Sequence, residues 1–373
     1  MGVVSLFADM LYEGARSLAG PYLAALGATG AAVGVAAGAG ELVGFGLRPL
    51  FGVLADRKRN YWTFTIVGYI MTAVAVPLLA LVHDWRIAVA IFVAERASKA
   101  VRSPAKDTIL AHATESMGHG KGFGLHEVLD QIGAISAPLL LSAVLAWKQN
   151  YALAFGLLTI PAVLTLTALF IARAKYPNPT EAEVSKRFVA QKLPQRFWIY
   201  VIGVGAVGAG FADFPLIAFH TSEAQILSAD HIPLIYAGAM AVDAVAAYVF
   251  GVLFDRYGVR VLTISALVAS AFAPFAFGSS VVSVCIGVAL WGAGLGAQES
   301  VLRAAVATMA PPDRRGAAYG FFNMVYGGAW FAGSALLGVM YDHSIRVMII
   351  CSVALQLFGA LLLSGAPRRR AVT

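Results

Sequence analysis

Charge is scarce in this sequence. Of its 373 residues, 13% are Asp, Glu, Lys or Arg and 59% are hydrophobic, and the mean hydropathy is +0.76. Soluble domains carry about 25% charged and about 45–50% apolar residues. A soluble fold of this length cannot bury so much apolar surface, so the excess must face lipid. The composition excludes an ordinary soluble protein and predicts an integral membrane protein.

Cysteine is rare, and the common catalytic motifs are missing. The two cysteines, Cys285 and Cys351, lie in apolar runs, which favours small core residues over a disulfide or a metal pair. The sequence has no Walker loop, no H-E-x-x-H and no C-x-x-C, so we do not expect an enzyme or an ATP-driven pump. GVGAVG at 203–208 fits a dinucleotide pattern but lies within an apolar run that no strand precedes. We therefore expect no cofactor.

Most of the sequence consists of long apolar runs. A helix needs about 20 residues to cross the hydrocarbon core of a bilayer. Suitable runs lie at 3–26, 30–54, 61–82, 86–110, 123–147, 151–173, 197–219, 231–254, 260–278, 281–310, 316–340 and 345–365. They predict an all-α membrane protein with twelve transmembrane helices. Glycine is abundant and suits close helix contacts, above all at Gly30, Gly34, Gly38, Gly292, Gly294 and Gly296.

The distribution of basic residues predicts the orientation of the chain in the membrane. If both termini are cytoplasmic, most of the Lys and Arg residues in loops fall on the inside, and only Arg86, Lys148 and Arg346 fall outside. By the positive-inside rule we expect both termini in the cytoplasm and the chain in the cytoplasmic (inner) membrane. The same loops account for the net charge of +7, and no basic–aromatic cluster indicates a nucleic-acid partner.

One polar segment divides the chain. Residues 175–196, KYPNPTEAEVSKRFVAQKLPQR, are charged and contain Pro, which indicates a cytoplasmic linker after six apolar runs and before six more. The sequence therefore predicts an N-terminal six-helix bundle at 1–174. A C-terminal six-helix bundle with a short basic tail is predicted at 197–373.

The two halves share sequence patterns. GVLADR at 52–57 recurs as GVLFDR at 251–256, and the segment at 122–144 has a counterpart at 318–340. The matches occur in the same order and at similar offsets, so they indicate a duplication. Parallel repeats of six spans, with a substrate site near the bilayer midplane, are one known plan of transporters.

The repeated segment carries a family signature of Gly, then Asp-Arg, then Gly and a basic residue. The second copy, GVLFDRYGVR, keeps Gly251, Asp255, Arg256 and Gly258. The first, GVLADRKRNY, has Arg59 in place of the second Gly and Asn60 in place of the basic residue. With the twelve runs and the central linker, the whole chain resembles the major facilitator superfamily. VRSPAKDTILA and GAGLGAQESVLRAAVA further resemble a group of prokaryotic permeases that are labelled as efflux proteins.

The signature also has a physical reading. Asp56 and Asp255 fall at the cytoplasmic ends of predicted spans 2 and 8, where a carboxylate can approach the positive end of a neighbouring helix. The alternative is a solvated carboxylate beside cations that only set topology. The repetition favours a gate on the inner side, because orientation alone needs no fixed Asp or Gly. The expected gating residues are Gly52, Asp56, Arg57, Gly251, Asp255 and Arg256.

Predicted span 4 contains the charged segment AERASKAVRSPAKD at 94–107. Glu95, Lys99, Arg102 and Lys106 are spaced by four, three and four residues, so they share one helical face. Intramembrane charge is costly and usually faces the bundle interior or a wet cavity. We predict a functional face here. A salt-bridge ladder that only holds helices together is the alternative.

Other predicted spans can complete the site. Buried carboxylates can exchange protons near neutral pH, and His126, four residues before Asp130, can act as a relay. The bases can bind an anionic substrate group or neutralise the acids, and both roles stay open. For His220 we expect a structural hydrogen bond. The candidate binding or coupling residues are Asp9, Glu13, Arg16, Glu41, Glu95, Lys99, Arg102, His126, Asp130, Asp213, Gln298, Glu299 and Arg303.

These features together predict a secondary active transporter that works by alternating access. It would move a small polar or anionic organic solute by proton-coupled efflux, with the proton as the coupling ion. A proton-coupled uptake permease stays open as an alternative, as does a non-transporting receptor or scaffold, because a fold alone does not give a function. The expected partners are the solute and membrane lipid, and the expected state is a monomer.

Overall fold

The computed structural model describes residues 1–58, 60–113, 119–177, 195–258, 260–309 and 315–364, and every regular element within these ranges is a helix. The predicted all-α fold is therefore confirmed. Most of the predicted linker at 175–196 lies outside the described residues. A helix satisfies its own backbone polar groups, which is what an apolar chain in a bilayer requires.

Sixteen helices follow one another in the described part of the chain, mostly through short connections. A 3₁₀ turn, Leu79–Leu81, extends the fourth. The helices are α1 (Gly2–Ala25), α2 (Gly30–Gly46), α3 (Arg48–Lys58), α4 (Tyr61–Leu78), α5 (Trp85–Ala113), α6 (His119–Lys148), α7 (Tyr151–Leu157), α8 (Thr159–Lys175), α9 (Gln195–Gly210), α10 (Phe214–Glu223), α11 (His231–Tyr257), α12 (Arg260–Ser270), α13 (Phe272–Ala276), α14 (Val281–Met309), α15 (Arg315–His343) and α16 (Ile345–Ser364).

Nine helical segments within the described residues are long and apolar enough to cross a membrane. α1 and α5 are long enough but more polar, because Asp9, Glu13 and Arg16 interrupt α1 and the charges at 94–107 interrupt α5. The segment Arg260–Ala276 is apolar but shorter. The helices that are too polar are thus two of those that carry candidate site residues.

Four of the predicted spans are divided between two helices, namely those at 30–54, 151–173, 197–219 and 260–278. The run at 30–54 divides at Leu47 into α2 and α3, where Pro49 lacks the N–H that a continuous helix would use. The run at 197–219 divides at 211–213 into α9 and α10. Pro215 stands in the first turn of α10, where a missing N–H costs little. Both segments are still long and apolar enough to cross a membrane, as the predicted spans require.

The chain groups into two compact units. As far as the structure describes them, the first unit contains Met1–Ala28, Ala39–Val184 and Leu227–Ala237, and the second contains Thr29–Gly38, Ser185–Ile226 and Gly238–Thr373. The first turns of α2 therefore pack within the second unit. The first turns of α11 likewise pack within the first.

In the first unit, α1 packs against α6 and α8, and α4 packs against α5. Glycines allow the closest approaches. A Cβ at Gly133 of α6 would collide with the backbone oxygen of Leu6 and lie 3.2 Å from Cβ of Asp9. A Cβ at Gly68 of α4 would lie 2.8 Å from the backbone oxygen of Ser98. These contacts bring the charged residues of α1 and α5 against neighbouring helices.

In the second unit, α9 packs against α15 and α16. The segment Gln195–Glu223 is 83% buried, whereas the other candidate spans are between 33% and 56% buried. A Cβ at Gly359 of α16 would lie 2.6 Å from the backbone oxygen of Gly203. α9 and α10 are therefore the innermost helices of this unit.

The glycines that were predicted to lie at helix contacts do so. A Cβ at Gly34 of α2 would collide with the backbone oxygen of Ser334 and lie 2.8 Å from Cα of Gly338, both in α15. A Cβ at Gly296 of α14 would meet the backbone of Asp243 in α11. The other members of both runs also face neighbouring helices at close range.

Both cysteines are free, as predicted, but their predicted place in the core is wrong. Cys285 is exposed and Cys351 is partly exposed. Val281, Val282 and Ile286 near Cys285 are exposed as well. The lipid-facing side of a membrane helix is itself apolar, so apolar neighbours in the sequence do not indicate a core position.

Candidate functional site

Charged side chains of α1, α2 and α5 converge on one phenol in the first unit. Tyr12 of α1 is buried, and its hydroxyl accepts hydrogen bonds from Arg96 and, at 3.3 Å, from Nη1 of Arg16. The Arg96 guanidinium lies 4.5 Å from the centre of the Tyr12 ring, and Nζ of Lys99 lies 4.1 Å from it. Cations over a ring face are attracted to its negative quadrupole. We name Tyr12, Arg16, Glu41, Arg96 and Lys99 the Tyr12 cluster.

Arg96 also forms the ion pair of this cluster. Its Nη2 lies 2.9 Å from Oε1 of Glu41, and both side chains are mostly buried. A Cβ at the neighbouring Gly40 would lie 2.8 Å from Cγ of Arg96, so glycine leaves room for this side chain. Sequence reasoning placed Arg96 off the charged face of span 4 and did not assign it a role. The spacing of Glu41 and Arg48 suggested a common face, but Glu41 pairs with Arg96.

Glu13 lies one residue beyond Tyr12 on α1. It accepts a hydrogen bond from the hydroxyl of Tyr236, which is fully buried in the part of α11 that packs within the first unit. Sequence reasoning missed Tyr236, because 223 residues separate the two partners. The contact gives Glu13 a neutral donor that can serve either protonation state of the carboxyl group.

Glu95 and Arg102 are the most deeply buried members of the charged face of α5. Oε1 of Glu95 receives no hydrogen bond from the described residues. Arg102 donates to Oγ1 of Thr72 at 3.1 Å, and its guanidinium lies 4.9 Å from the centre of the Tyr69 ring. Within the described residues Arg102 has no carboxylate within ion-pair distance. The alternative interpretation, a salt-bridge ladder that only holds helices together, therefore has no ion pair at these two residues within the described part of the chain.

A second polar group lies where α1, α5 and α6 meet. Nε2 of His126 is 3.0 Å from Nζ of Lys106, 3.3 Å from Oγ of Ser5 and 3.5 Å from Oδ2 of Asp130. Asp9 of α1 is close enough to interact electrostatically with Asp130. We name Ser5, Asp9, Lys106, His126 and Asp130 the His126 cluster. It contains the predicted His126–Asp130 pair together with a lysine from the face of α5.

In the second unit, the predicted residue Asp213 lies at the break between α9 and α10. It is buried, and its Oδ1 accepts a hydrogen bond from the backbone N–H of Phe214 at 2.9 Å. This capping contact satisfies a donor of the first turn of α10. His220, later in α10, contacts the hydroxyl of Tyr341 at 3.1 Å and the carbonyl of Gly278 at 3.2 Å, as the structural interpretation predicts.

The three candidates of α14 have different surroundings. Gln298 is buried, donates to the carbonyl of Gly294 at 3.2 Å and accepts from the hydroxyl of Tyr326 at 2.9 Å. Glu299 is exposed, and the side chain of Arg303 lies outside the described residues. Gln298 thus links α14 to α15.

The predicted gating residues lie at helix ends. Arg57, Asp255 and Arg256 are exposed, and the side chain of Asp56 lies outside the described residues. Gly258 has φ of +63°, a conformation that favours glycine and that turns the chain from α11 towards α12. In the first copy, Arg59 lies outside the described residues and Asn60 caps α4 by accepting from the N–H of Thr63 at 3.3 Å.

Of the gate glycines, Gly52 packs against a neighbour. A Cβ at Gly52 would make ordinary contact with Pro104 of α5, and a Cβ at Gly251 would meet no atom within 4 Å. Packing therefore does not explain the glycine at 251. Among the described residues no group of three His, Cys, Asp or Glu side chains could hold a metal ion.

The whole chain matches one family model. The model, described as the Major Facilitator Superfamily, covers residues 1–225 and again 214–372. The chain belongs to the Major Facilitator Superfamily. An uncharacterized protein of Mycobacterium tuberculosis is 42% identical over 370 residues, which are 97% of this chain and 90% of that protein. An uncharacterized MFS-type transporter of Methanocaldococcus jannaschii is 24% identical and covers 97% of this chain and 93% of its own length.

Solved structures with the same fold include transporters. A variant of the nucleoside transporter NupG superposes with a TM-score of 0.78 at 16% identity and covers 98% of both chains. The xylose transporter XylE of E. coli gives 0.72 at 13% identity over 100% of this chain and 97% of that one. At these identities the likeness shows the fold alone. The family match and the long apolar helices together show a multi-pass membrane protein with the transporter fold of this superfamily.

Proposed function

We propose that this protein is a proton-coupled secondary transporter that moves a small polar or anionic organic solute out of the cell by alternating access. The Tyr12 cluster carries this proposal. Three cationic groups from two helices surround a single buried phenol, in a part of the chain where the bilayer would make each charge costly. Such an arrangement is typical of a place where a charged or polar ligand binds.

The pairing within the cluster favours an anionic group on the solute. Arg96 has Glu41 as its partner, whereas Lys99 rests on the face of Tyr12 and has no ion pair with any described residue. A carboxylate or phosphate that entered beside Lys99 would supply the missing counter-charge. Arg16, at the hydroxyl edge of the same ring, could add a bidentate contact. Arg303 stays a candidate for the same role from sequence alone.

Glu95 is our leading candidate for the coupling carboxylate. It is buried, one turn before Lys99, and one of its oxygens receives no hydrogen bond from the described residues. Burial without full hydrogen bonding makes the charged form of a carboxyl group costly, which is the condition for exchanging a proton during transport. Glu13, Asp9, Asp130, Asp213 and Glu299 remain further candidates.

The topology is part of the proposal. We assign twelve membrane spans in two bundles, 1–174 and 197–373, joined by a linker at 175–196, with both termini in the cytoplasm. The segments at 52–57 in α3 and 251–256 in α11 act as the inner gate. The positive-inside distribution and the repeated signature support this assignment. We expect a monomer in the inner membrane.

Flux in proteoliposomes tests the proposal. The purified chain would be reconstituted with an imposed pH gradient and offered labelled organic acids, nucleosides and sugars, with empty vesicles as the control. We expect gradient-driven movement of at least one organic anion, in the direction opposite to the proton. Movement in the proton's own direction would instead make the protein an uptake permease. Ligand binding without flux under every gradient would reject transport in favour of a receptor.

A further inference from the structure

The atoms around Nε2 of His126 constrain where protons can be. Nζ of Lys106 is the nearest, at 3.0 Å, followed by Oγ of Ser5 at 3.3 Å and Oδ2 of Asp130 at 3.5 Å. Ser5 and His126 are both more than nine-tenths buried. A lysine ammonium carries three donors and no acceptor, so the ring nitrogen that it contacts must present a lone pair. His126 is then neutral and carries its proton on Nδ1.

This tautomer separates His126 from Asp130. A lone pair on Nε2 cannot donate to a carboxylate, so the 3.5 Å approach is not a hydrogen bond while Lys106 is charged. Ser5 has a single O–H, which can reach either Nε2 or the carboxylate of Asp130. Oδ1 of Asp130 and Nδ1 of His126 receive no partner from the described residues. The simple His–Asp relay that the four-residue spacing suggests is therefore not formed.

We infer that Lys106 keeps Nε2 of His126 unprotonated and that the carboxyl group of Asp130, facing Asp9, is the proton-exchanging group of this cluster. The site would serve the inner end of the proton path and so deepens the proposed function. The location of the proton can be measured whether or not the chain transports a solute. Lys106 is a positioning residue in this account, because it acts through His126 and Asp130.

The charges that face the cluster support this assignment from every side. Burial disfavours a charged imidazole at His126, and the positive charges of Lys106 on α5 and of the Met1 amino group at the start of α1 act in the same direction. Asp9 of α1 and Glu127 of α6 oppose a negative charge on Asp130, while Lys106 and Lys99 favour it. Asp107, mostly exposed, lies 3.6 Å from Lys106, and the Tyr69 hydroxyl of α4 also faces the cluster. Two carboxyl groups in one low-dielectric site do not ionise independently, so Asp9 and Asp130 can share a proton.

Nitrogen NMR of histidine tests the role of Lys106. The full chain, labelled with ¹⁵N-histidine, would be reconstituted in lipid vesicles, and His126→Gln would assign the signal by subtraction. We expect an unprotonated Nε2 and a protonated Nδ1 at about neutral pH. Lys106→Met removes the donor that faces Nε2, so the ring proton should become free to move to Nε2 and point at Asp130, whereas Lys106→Arg should preserve the unprotonated Nε2. A protonated Nε2 in the parent chain, or no change in Lys106→Met, would overturn the inference.

Proton counting tests the role of Asp130. The purified parent chain, Asp130→Asn and His126→Gln would be titrated between about pH 8 and pH 5, and the protons bound per chain compared. We expect Asp130→Asn to bind one proton fewer than the parent and His126→Gln to bind the same number. The reverse result, or equal binding by all three, would overturn the inference. Lys148→Met, at the exposed end of α6, is the matched control for both measurements.

Discussion

Arg96 is the cation that ties the Tyr12 cluster together. It pairs with Glu41 at 2.9 Å, donates to the Tyr12 hydroxyl and lies against the Tyr12 ring. A buried ion pair contributes little net stability, because desolvation of both charges offsets their attraction. Removing one partner is different, because it leaves the other charge buried and alone.

Arg96→Gln should therefore lower the free energy of unfolding by about 3–5 kcal/mol, because Glu41 then lacks its partner. The double variant Arg96→Gln with Glu41→Gln should recover a large part of this loss. Thermal unfolding in detergent, arranged as a double-mutant cycle, measures both effects. Arg86→Gln on the exposed start of α5 is the control and should change little. Additive losses in the cycle would contradict the pairing.

For single residues, the sequence could predict which side of a helix a side chain occupies but not which distant side chain it contacts. The spacing of Glu95, Lys99 and Arg102 placed them on one side of a helix, and all three face protein in the structure. It could not predict that Arg96 reaches Tyr12, because 84 residues separate them. It also could not show that Lys106 of α5 contacts His126 of α6. The helical period determines the side of the helix on which a residue lies. The residues that it contacts depend on which other helix packs against that side.

At the scale of single elements, the break between α9 and α10 is held by side chains from other helices. The carbonyl of Gly210 accepts from Oγ of Ser352 at 2.6 Å and from Nε2 of Gln356 at 3.2 Å. The carbonyl of Ala212 accepts from Nε1 of Trp291 at 3.0 Å. Irregular backbone survives at membrane depth only where such partners replace the lost helix bonds. The apolar run at 197–219 could not predict this break, because the partners lie far along the chain.

Trp291→Phe should destabilise the chain, because the carbonyl of Ala212 loses its indole donor in a dry interior. We expect a loss of about 1–3 kcal/mol. Trp147→Phe, the same change at an exposed tryptophan, should have little effect. Melting temperatures of the two variants in detergent give the comparison. Equal melting temperatures would show that the indole N–H does not support the break.

The contact between α2 and α15 makes a second prediction for an element. Gly34→Ala places a methyl group against the backbone oxygen of Ser334 and near Cα of Gly338, so the helices must separate. We expect a cost of about 1–3 kcal/mol. Gly46→Ala, on the same helix with no atom within 4 Å, should be neutral or slightly stabilising. Similar stability of both variants in a melting experiment would contradict the close contact.

At the scale of the whole molecule, the two units have different interiors despite their repeated sequence patterns. The first unit holds the Tyr12 and His126 clusters. The second is dominated by aromatic packing, with Phe211 between Trp291 and Trp330 at ring distances of 5.8 Å. Apolar length and repeated motifs predicted the helical membrane fold and the family. They could not predict that aromatic residues would fill the interior of the second unit, because buried and lipid-facing aromatic residues look alike in a sequence.

The proposed topology predicts the sides from which loops can be labelled. In a background with Cys285 and Cys351 replaced by Ala, single cysteines at 27–29 and 221–230 should react with an impermeant thiol reagent from outside. Single cysteines at 176–192 should react only after the membrane is permeabilised. This follows from the excess of Lys and Arg in the inside loops. The opposite pattern would reverse the orientation.

The central claim is that a buried carboxylate of the first unit couples transport to protons. The direct measurement compares Glu95→Gln with the parent chain in two proteoliposome assays, accumulation driven by a pH gradient and solute counterflow without one. A neutral side chain at 95 cannot exchange a proton, so we predict that gradient-driven accumulation is lost while counterflow persists. Glu223→Gln, the same change at an exposed acid, should retain both. Gradient-driven accumulation by Glu95→Gln at the rate of the parent chain would contradict the account.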